Sequence, residues 1–370
     1  MINKDRLLSN FLAYIQIDSE SRNEKAMGER LVADLKALGL TVHTDEAGKA
    51  FNSNGFNVYA RLEGTLPGEP LIYSSHMDTV VPGNGVKPQI KDGVIYSDGT
   101  TILGGDDKSG IAGIMEALTV IKEKNLPCHT TEVSFSIGEE IGMMGVKNID
   151  FSWFKAKKAV VLDHGGEIGG IVNQGPGQLK LHAVIHGRSA HAGLAPEKGI
   201  NAIQVAAKGI ANMNLLRIDE ETTCNIGSFI AEGPTNIVAP KAEIMAEIRS
   251  RNLDKLNAQA KHMEDCLKSA CAEAGATLDC TLTTNYVSFN LPKEDPLIKR
   301  VSKVYESMGL PVVIEAGGGG SDANVYALHG ITPIVLSTGM TNVHTTNESI
   351  KIKDLELTAE YALKLMTMEE

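Results

Sequence analysis

Four short apolar runs arranged around one long helical stripe constrain this chain more than any other feature. Asn57 to Leu62, Pro70 to Ser75, Thr131 to Ile137 and Lys158 to Leu162 read as strands. Between the second and third, Lys108 to about Lys124 carries Ile111, Ile114, Met115, Leu118 and Ile121 at helical spacing. Parallel strands need long crossover connections, and the crossover helices then cover both faces of the sheet. The rhythm predicts an α/β domain with a doubly wound, mostly parallel sheet. Further helical stripes fall at Leu7, Leu8, Phe11, Leu12 and Ile15, and over Glu29 to Leu38 with Gly39 as the stop.

The pattern changes after Asn173-Gln174-Gly175-Pro176-Gly177. Leu179 to His186, Thr222 to Ile230 and Ala242 to Ile248 alternate like half-exposed strands, and a further strand signal runs to about Tyr286. Two helical patterns, Gly199 to Leu215 and Leu253 to Ala274, are interleaved. The doubly wound rhythm then resumes, with a helix from Pro296 to Met308, strands at Val312 to Ile314 and Pro333 to Leu336, and a helix from Lys353 to Met368. The chain's 370 residues exceed the roughly 150 of a typical domain. The expected layout is one α/β domain over 1–177 and 288–370, interrupted by an inserted α+β domain over 178–287.

Composition removes several classes. The net charge is -11, from 46 acidic against 35 basic residues, with no basic stripe of the kind a nucleic-acid binder shows. No stretch approaches the roughly 20 apolar residues of a membrane span. The five cysteines are odd in number and form no C-x-x-C pair, which argues against a disulfide framework and for a reducing compartment. The N-terminal stretch is a helical stripe rather than a signal peptide. A soluble, cytoplasmic protein with no nucleic-acid or membrane partner is expected.

In open α/β sheets, ligands bind beyond the carboxyl ends of the strands. Pro70 to Ser75 is followed by His76-Met77-Asp78, Thr131 to Ile137 by Gly138-Glu139-Glu140, and Ala159 to Leu162 by Asp163. Pro333 to Leu336 leads, a loop later, to His344, and Asp106-Asp107 stands in a glycine-rich turn before the long helix. Each residue alone would usually be a cap or a solvated turn. Together, five segments deliver His or carboxylate to one rim, which is the ligand set of zinc or a neighbouring first-row metal. Five ligands suit two ions that share a carboxylate. Asp106, Glu140 and Asp163 with one hydroxide would balance the charge of two divalent ions. Glu139 is left as a general base for water, and Asp78 can hold the second ring nitrogen of His76.

Gly317-Gly318-Gly319-Gly320-Ser321-Asp322 invites a phosphate-loop reading, but no Gly-Lys-Ser/Thr follows it. A backbone around Gly318 that approaches a substrate closely fits better. His43, His129, His164, His182, His186, His262 and His329 are read as structural. His182 and His186 share a strand face without a carboxylate at matching spacing.

Four segments carry a family resemblance. They are Ser75-His76-Met77-Asp78-Thr79-Val80, Gly104-Gly105-Asp106-Asp107-Lys108-Ser109-Gly110, Gly138-Glu139-Glu140-Ile141-Gly142 and Gly187-Arg188-Ser189-Ala190-His191-Ala192-Gly193. They resemble the signatures of the two-zinc aminoacylase/carboxypeptidase superfamily. Ser97 to Leu103 running into Gly-Gly-Asp-Asp-Lys, and Asn342-Val343-His344-Thr345-Thr346-Asn347-Glu348, resemble its peptidase T (tripeptide aminopeptidase) branch.

The resemblance implies that His76 and Asp163 bind one metal, Glu140 and His344 the other, and that Asp106 bridges. Glu139 would be the base and Asp78 would orient His76. The Asp106-Asp107 bond would be cis. The insert would be a lid, pairing with its copy in a homodimer. His191 would stabilise the oxyanion, Arg249 would clamp a substrate carboxylate, and Asn236 would touch substrate. Two divalent ions are implied, zinc first, with manganese or cobalt as alternatives. The expected substrate is a small peptide. An N-acyl-amino-acid amidohydrolase, a dipeptidase, a carboxypeptidase, and a non-catalytic peptide-binding protein on the same scaffold stand as alternatives.

Overall fold

The computed structural model describes residues 1–368. The chain divides into two compact units. The first holds Met1–Gln174, Leu291–Gly317 and the chain from Ser321 onward. The second holds Gly175–Asn290 together with Gly318–Gly320.

In the first unit the apolar runs form the central sheet. Its strands are Thr41–Thr44 (β1), Val58–Leu62 (β2), Leu71–His76 (β3), Thr131–Ser136 (β4), Lys158–His164 (β5), Gly170–Gly175 (β6), Val313–Ala316 (β7) and Thr332–Ser337 (β8). The order is β1-β2-β4-β3-β5-β8-β6, with β7 against β6. The centre, β4-β3-β5-β8, is parallel, and β1, β2 and β6 join by antiparallel pairing. Every residue of β3 and β4 is buried, as expected of strands covered on both faces. Register aligns the strand ends. His76 stands opposite Ser136, and Ser337 opposite His164.

The long helix is Gly105–Lys124 and packs against the helices Lys4–Ile15 and Ile352–Thr367 and against β3. Ile111, Ile114 and Leu118 are fully buried there. Each such side chain contributes about 1.5–3 kcal/mol of transfer free energy. Gly110 is required by close approach, since a Cβ there would lie 2.4 Å from the Leu162 carbonyl oxygen. Asn125, in the left-handed region, ends the helix by donating to the Ile121 and Lys122 carbonyls. The start agrees with the sequence reading, which begins the helix at Lys108 after a glycine-rich turn. Asp106 and Asp107 are non-helical, and Gly104 enters at φ +75, so the turn feeding the helix is a separate device.

A second sheet in this unit runs Met340–Thr341, Ser349–Lys351, Val94–Tyr96, Gln89–Lys91. Strands of two or three residues carry no legible periodicity, and none was expected here. This sheet frames the turn that bears His344.

The second unit is a five-stranded antiparallel sheet, ordered Leu216–Arg217, Thr222–Ile230, Lys241–Ser250, Gly177–His186, Thr277–Tyr286. Leu181, Ile185, Ile244 and Ile248 face Met263 and Leu267 of the helix Leu253–Ala274, and all are buried in one cluster. The helix Ala202–Ala211 is shorter than its apolar stripe suggests. Asn201 caps it by accepting from the Ile203 and Gln204 N–H groups, and Pro196–Lys198 before it is a separate 3-10 turn. Gly320 belongs with this unit, where a Cβ would lie 2.5 Å from the Tyr286 ring. Among the described residues no helix is long and apolar enough to cross a membrane.

Candidate metal centre

The first unit brings six of the expected site residues to one rim. His76 ends β3, Asp163 lies near the end of β5, Glu139 and Glu140 follow β4, Asp106 precedes the long helix, and His344 stands on the turn after Met340–Thr341. His76 Nε2 lies 3.1 Å from Asp106 Oδ1 and 3.6 Å from Asp163 Oδ1. His344 Nε2 lies 2.9 Å from Glu140 Oε1 and 3.2 Å from Asp106 Oδ2. Each oxygen of Asp106 therefore faces a different histidine. Two ligand atoms on one tetrahedral ion, each about 2.0–2.2 Å from it, stand roughly 3.3 Å apart. The observed spacings fit that geometry on both sides of Asp106. The Asp106-Asp107 peptide is cis, as the resemblance implies.

The electrostatics say what the rim needs. Burial pushes Asp163 up to about 7 and raises Glu140. Burial would also raise Asp106, but the histidines His344 and His76 hold it below the usual carboxylate range. Hydrogen bonds to Asp106 and Glu140 drive His344 up to about 10. Burial opposes the charged form of His76, yet the carboxylates of Asp106, Asp163 and Asp78 hold its pKa well above the usual value. Carboxylates crowded and buried in this way call for a compact positive charge. Oxygen and imidazole donors on divalent ions supply the matching chemistry.

Supporting contacts fix the donors. His76 is 2% exposed. Its Nδ1 lies 2.9 Å from the Asp78 main-chain oxygen and 3.5 Å from Asp78 Oδ1. A carbonyl oxygen only accepts, so Nδ1 carries a proton, and once Nε2 gave up its own proton its lone pair would be presented to an ion on the side of Asp106 and Asp163. The Asp78 carboxylate has a wider task. It accepts from the Glu139 N–H (2.9 Å), the Glu140 N–H (3.3 Å) and the Ser21 hydroxyl (2.7 Å). One residue thus orients a histidine through its backbone and the Glu139-Glu140 pair through its side chain. Burial pushes Glu139 well above the usual carboxylate range, and Asp163, Asp322 and Glu140 add to this against the pull of His76.

Several residues here escaped the sequence reading. Asp107 groups with His76 and Asp163 as a further possible ligand. Its side chain, however, is engaged by the Ser75 hydroxyl and the Gly110 N–H. Lys108 is buried and donates to the Ile17 carbonyl at 2.9 Å. Asp322, pushed up by burial to about 6, accepts from the Ser136 hydroxyl. Glu348 accepts from three backbone N–H groups of the turn that carries Asp106. Lys108 and Glu348 stood inside the quoted motifs, and that was their only signal.

His191, Asn236, Arg249 and Gly318 lie in the second unit. His191 is exposed, and its Nδ1 accepts from the Gly193 (3.1 Å) and Leu194 (3.2 Å) N–H groups. The proton of the neutral ring is therefore on Nε2, free to donate. Asn236 is tied to this turn through its carbonyl, which accepts from the Ala192 N–H at 2.9 Å. Arg249 donates from Nε (2.9 Å) and one terminal nitrogen (3.0 Å) to the two oxygens of Glu247. Gln178 donates to the same carboxylate at 2.6 Å. A Cβ on Gly318 would meet open space. His182 and His186 do have carboxylate partners, contrary to expectation: Glu243 at 2.7 Å and Asp279 at 2.9 Å. Both partners stand on neighbouring strands, diagonal across the register, where sequence spacing cannot show them.

Comparison with known proteins sets this geometry in context. The family model described as Peptidase family M20/M25/M40 matches residues 72–368. The crystal structure of aminopeptidase PepT from Bacillus cereus superposes with a TM-score of 0.93 at 42% identity, covering 99% of this chain and 98% of that one. A tripeptidase from Staphylococcus aureus superposes with a TM-score of 0.95 at 38% identity, covering 100% and 99%. Peptidase T of Clostridium botulinum is 26% identical over 404 aligned residues, spanning 97% of this chain and 98% of that protein.

Proposed function

This chain belongs to peptidase family M20/M25/M40, and from that premise we propose how its residues divide the work. It is a peptide-bond hydrolase, an aminopeptidase of the peptidase T type. The observation that carries the reading is Asp106, whose two carboxylate oxygens face His76 and His344 separately. His76, Asp163 and Asp106 would hold one divalent ion, and His344, Glu140 and Asp106 would hold the other. When bound, such ions polarise a scissile carbonyl and lower the pKa of a water.

The chain's own groups do the rest. Asp78 holds the Glu139 backbone, so that the Glu139 carboxylate takes a proton from the attacking water and passes it to the leaving amine. His191 donates a hydrogen bond from its Nε2–H to the developing oxyanion and keeps the proton. Glu247 occupies one edge of the Arg249 guanidinium, and the other edge takes a substrate carboxylate. Asn236 and the backbone at Gly318 complete the substrate contacts.

Zinc is the proposed ion, since two imidazoles and three carboxylates suit it. Manganese and cobalt share that donor set. The five free cysteines favour a reducing cytoplasm. Phe229, Ile230 and Ile237, exposed on the second unit, favour a homodimer paired through it. The names of the B. cereus and S. aureus relatives favour small peptides, tripeptides among them. A peptide-library hydrolysis assay with added zinc, manganese or cobalt tests the reading. Release of the N-terminal residue from short free peptides is expected. Turnover confined to N-acetyl amino acids would assign an amidohydrolase instead.

A further inference from the structure

Glu348 is fully buried, and both of its oxygens are spent on backbone. Oε2 accepts from the Leu103 and Gly104 N–H groups, each at 2.8 Å, and Oε1 from the Asp106 N–H at 2.9 Å. The turn it grips is the one that enters the long helix through left-handed Gly104. Space there is tight, since a Cβ on Gly105 would lie 3.1 Å from Glu348 Oε1. At its other end Glu348 is four residues from His344. Its N–H donates to the Thr345 carbonyl at 3.1 Å. The next residues, Ser349–Lys351, pair with both Met340–Thr341 and Val94–Tyr96. One carboxylate thus joins the backbone of Asp106 to the turn that presents His344, across 242 positions of sequence.

We propose that Glu348 is a positioning residue that fixes Asp106 against His344 and so builds the half of the metal centre formed by His344, Glu140 and Asp106. This rests on the two-ion reading above. The two halves differ in how they depend on it. His76 is the end of a fully buried central strand, and its ring is anchored by the Asp78 carbonyl. Two of the three donors of that half, His76 and Asp163, stand on central strands that Glu348 does not touch. The His344 ring is half exposed and stands on a left-handed turn outside the central sheet. Its distance from Asp106 is set by the hairpin that Glu348 ties down. A carboxylate accepting several backbone N–H groups holds a turn firmly, because each lost bond leaves a buried donor unpaired. Glu348→Gln places an amide N–H among those donors and releases the tie.

The test titrates chelator-stripped protein with manganese(II), by calorimetry and by electron paramagnetic resonance. Circular dichroism checks folding before metal is added. Wild type is expected to bind two ions per chain and to give an exchange-coupled spectrum. Wild type binding fewer than two would sink the two-ion reading itself, independently of Glu348. With two ions in wild type, Glu348→Gln is expected to hold the first ion within about threefold of wild type and to weaken the second roughly 10- to 100-fold. At one equivalent it should show an isolated manganese signal. Equal weakening of both ions, or wild-type binding of both, overturns the proposal. Glu348→Asp keeps the charge and serves if the glutamine variant does not fold, with the same asymmetry expected. Failure of both variants to fold would make Glu348 a folding residue and overturn its assignment to the metal centre.

Discussion

In the first unit the candidate reactive groups are held by several partners each. His76 is pinned between the Asp78 carbonyl and two carboxylates, Asp78 accepts three hydrogen bonds, and Glu348 accepts three more. In the second unit the candidate substrate readers range from exposed to partly exposed, and each is held by fewer partners. His191 is fixed through one ring nitrogen, and the Arg249 side chain is 30% exposed against a partly exposed Glu247. The physical demands differ in the same sense. Metal ligands must be close and aimed before the ion arrives and give up their protons as it binds, so their order is built into the fold. Groups that meet a substrate must give way to it, and a partly exposed ion pair costs less to rearrange than a buried one.

This contrast can be broken by experiment, beginning where the effect is largest. Glu139→Ala should keep two ions per chain and lower kcat on the order of 10²–10⁴-fold, read by metal analysis and initial rates. Loss of the ions in that variant would show that base and ligands are one inseparable unit. His191→Ala should lower kcat on the order of 10²–10³-fold with unchanged ion content. A fall in ion content there would erase the division between the units. Arg249→Ala should raise KM for free peptides roughly 10- to 100-fold, with kcat little changed, since it removes charge-assisted bonds to a carboxylate. C-terminally amidated peptides should not feel the change. Gly318→Ala meets open space and should shift stability by less than about 0.5 kcal/mol, measured by thermal unfolding. Any effect it has should fall on KM.

Much of the first unit was legible in sequence because its information is local. A buried strand is a short apolar run, and the rim residue ends or follows it, as with His76 at the end of Leu71–His76 and Glu139-Glu140 after Thr131–Ser136. The antiparallel insert was legible for the same reason, down to Thr222–Ile230 and Leu253–Ala274. What escaped depends on pairs brought together by folding. Glu348 and Asp106 are far apart in sequence, and nothing near either predicts the other. The carboxylate partners of His182 and His186 stand on adjacent strands. Spacing pointed to Asp78 as the support of His76, but not that its main-chain oxygen lies nearer the ring than its carboxylate does. The strands Met340–Thr341 and Ser349–Lys351 are too short for any period to show.

The central claim is that two ions sharing Asp106 carry peptide hydrolysis. It is tested most directly by adding zinc stepwise to chelator-stripped protein while following release of the N-terminal residue from a tripeptide. Activity should be absent at the start and reach its plateau at two ions per chain. Full activity in the stripped protein, or a plateau already reached at one ion per chain, would contradict it.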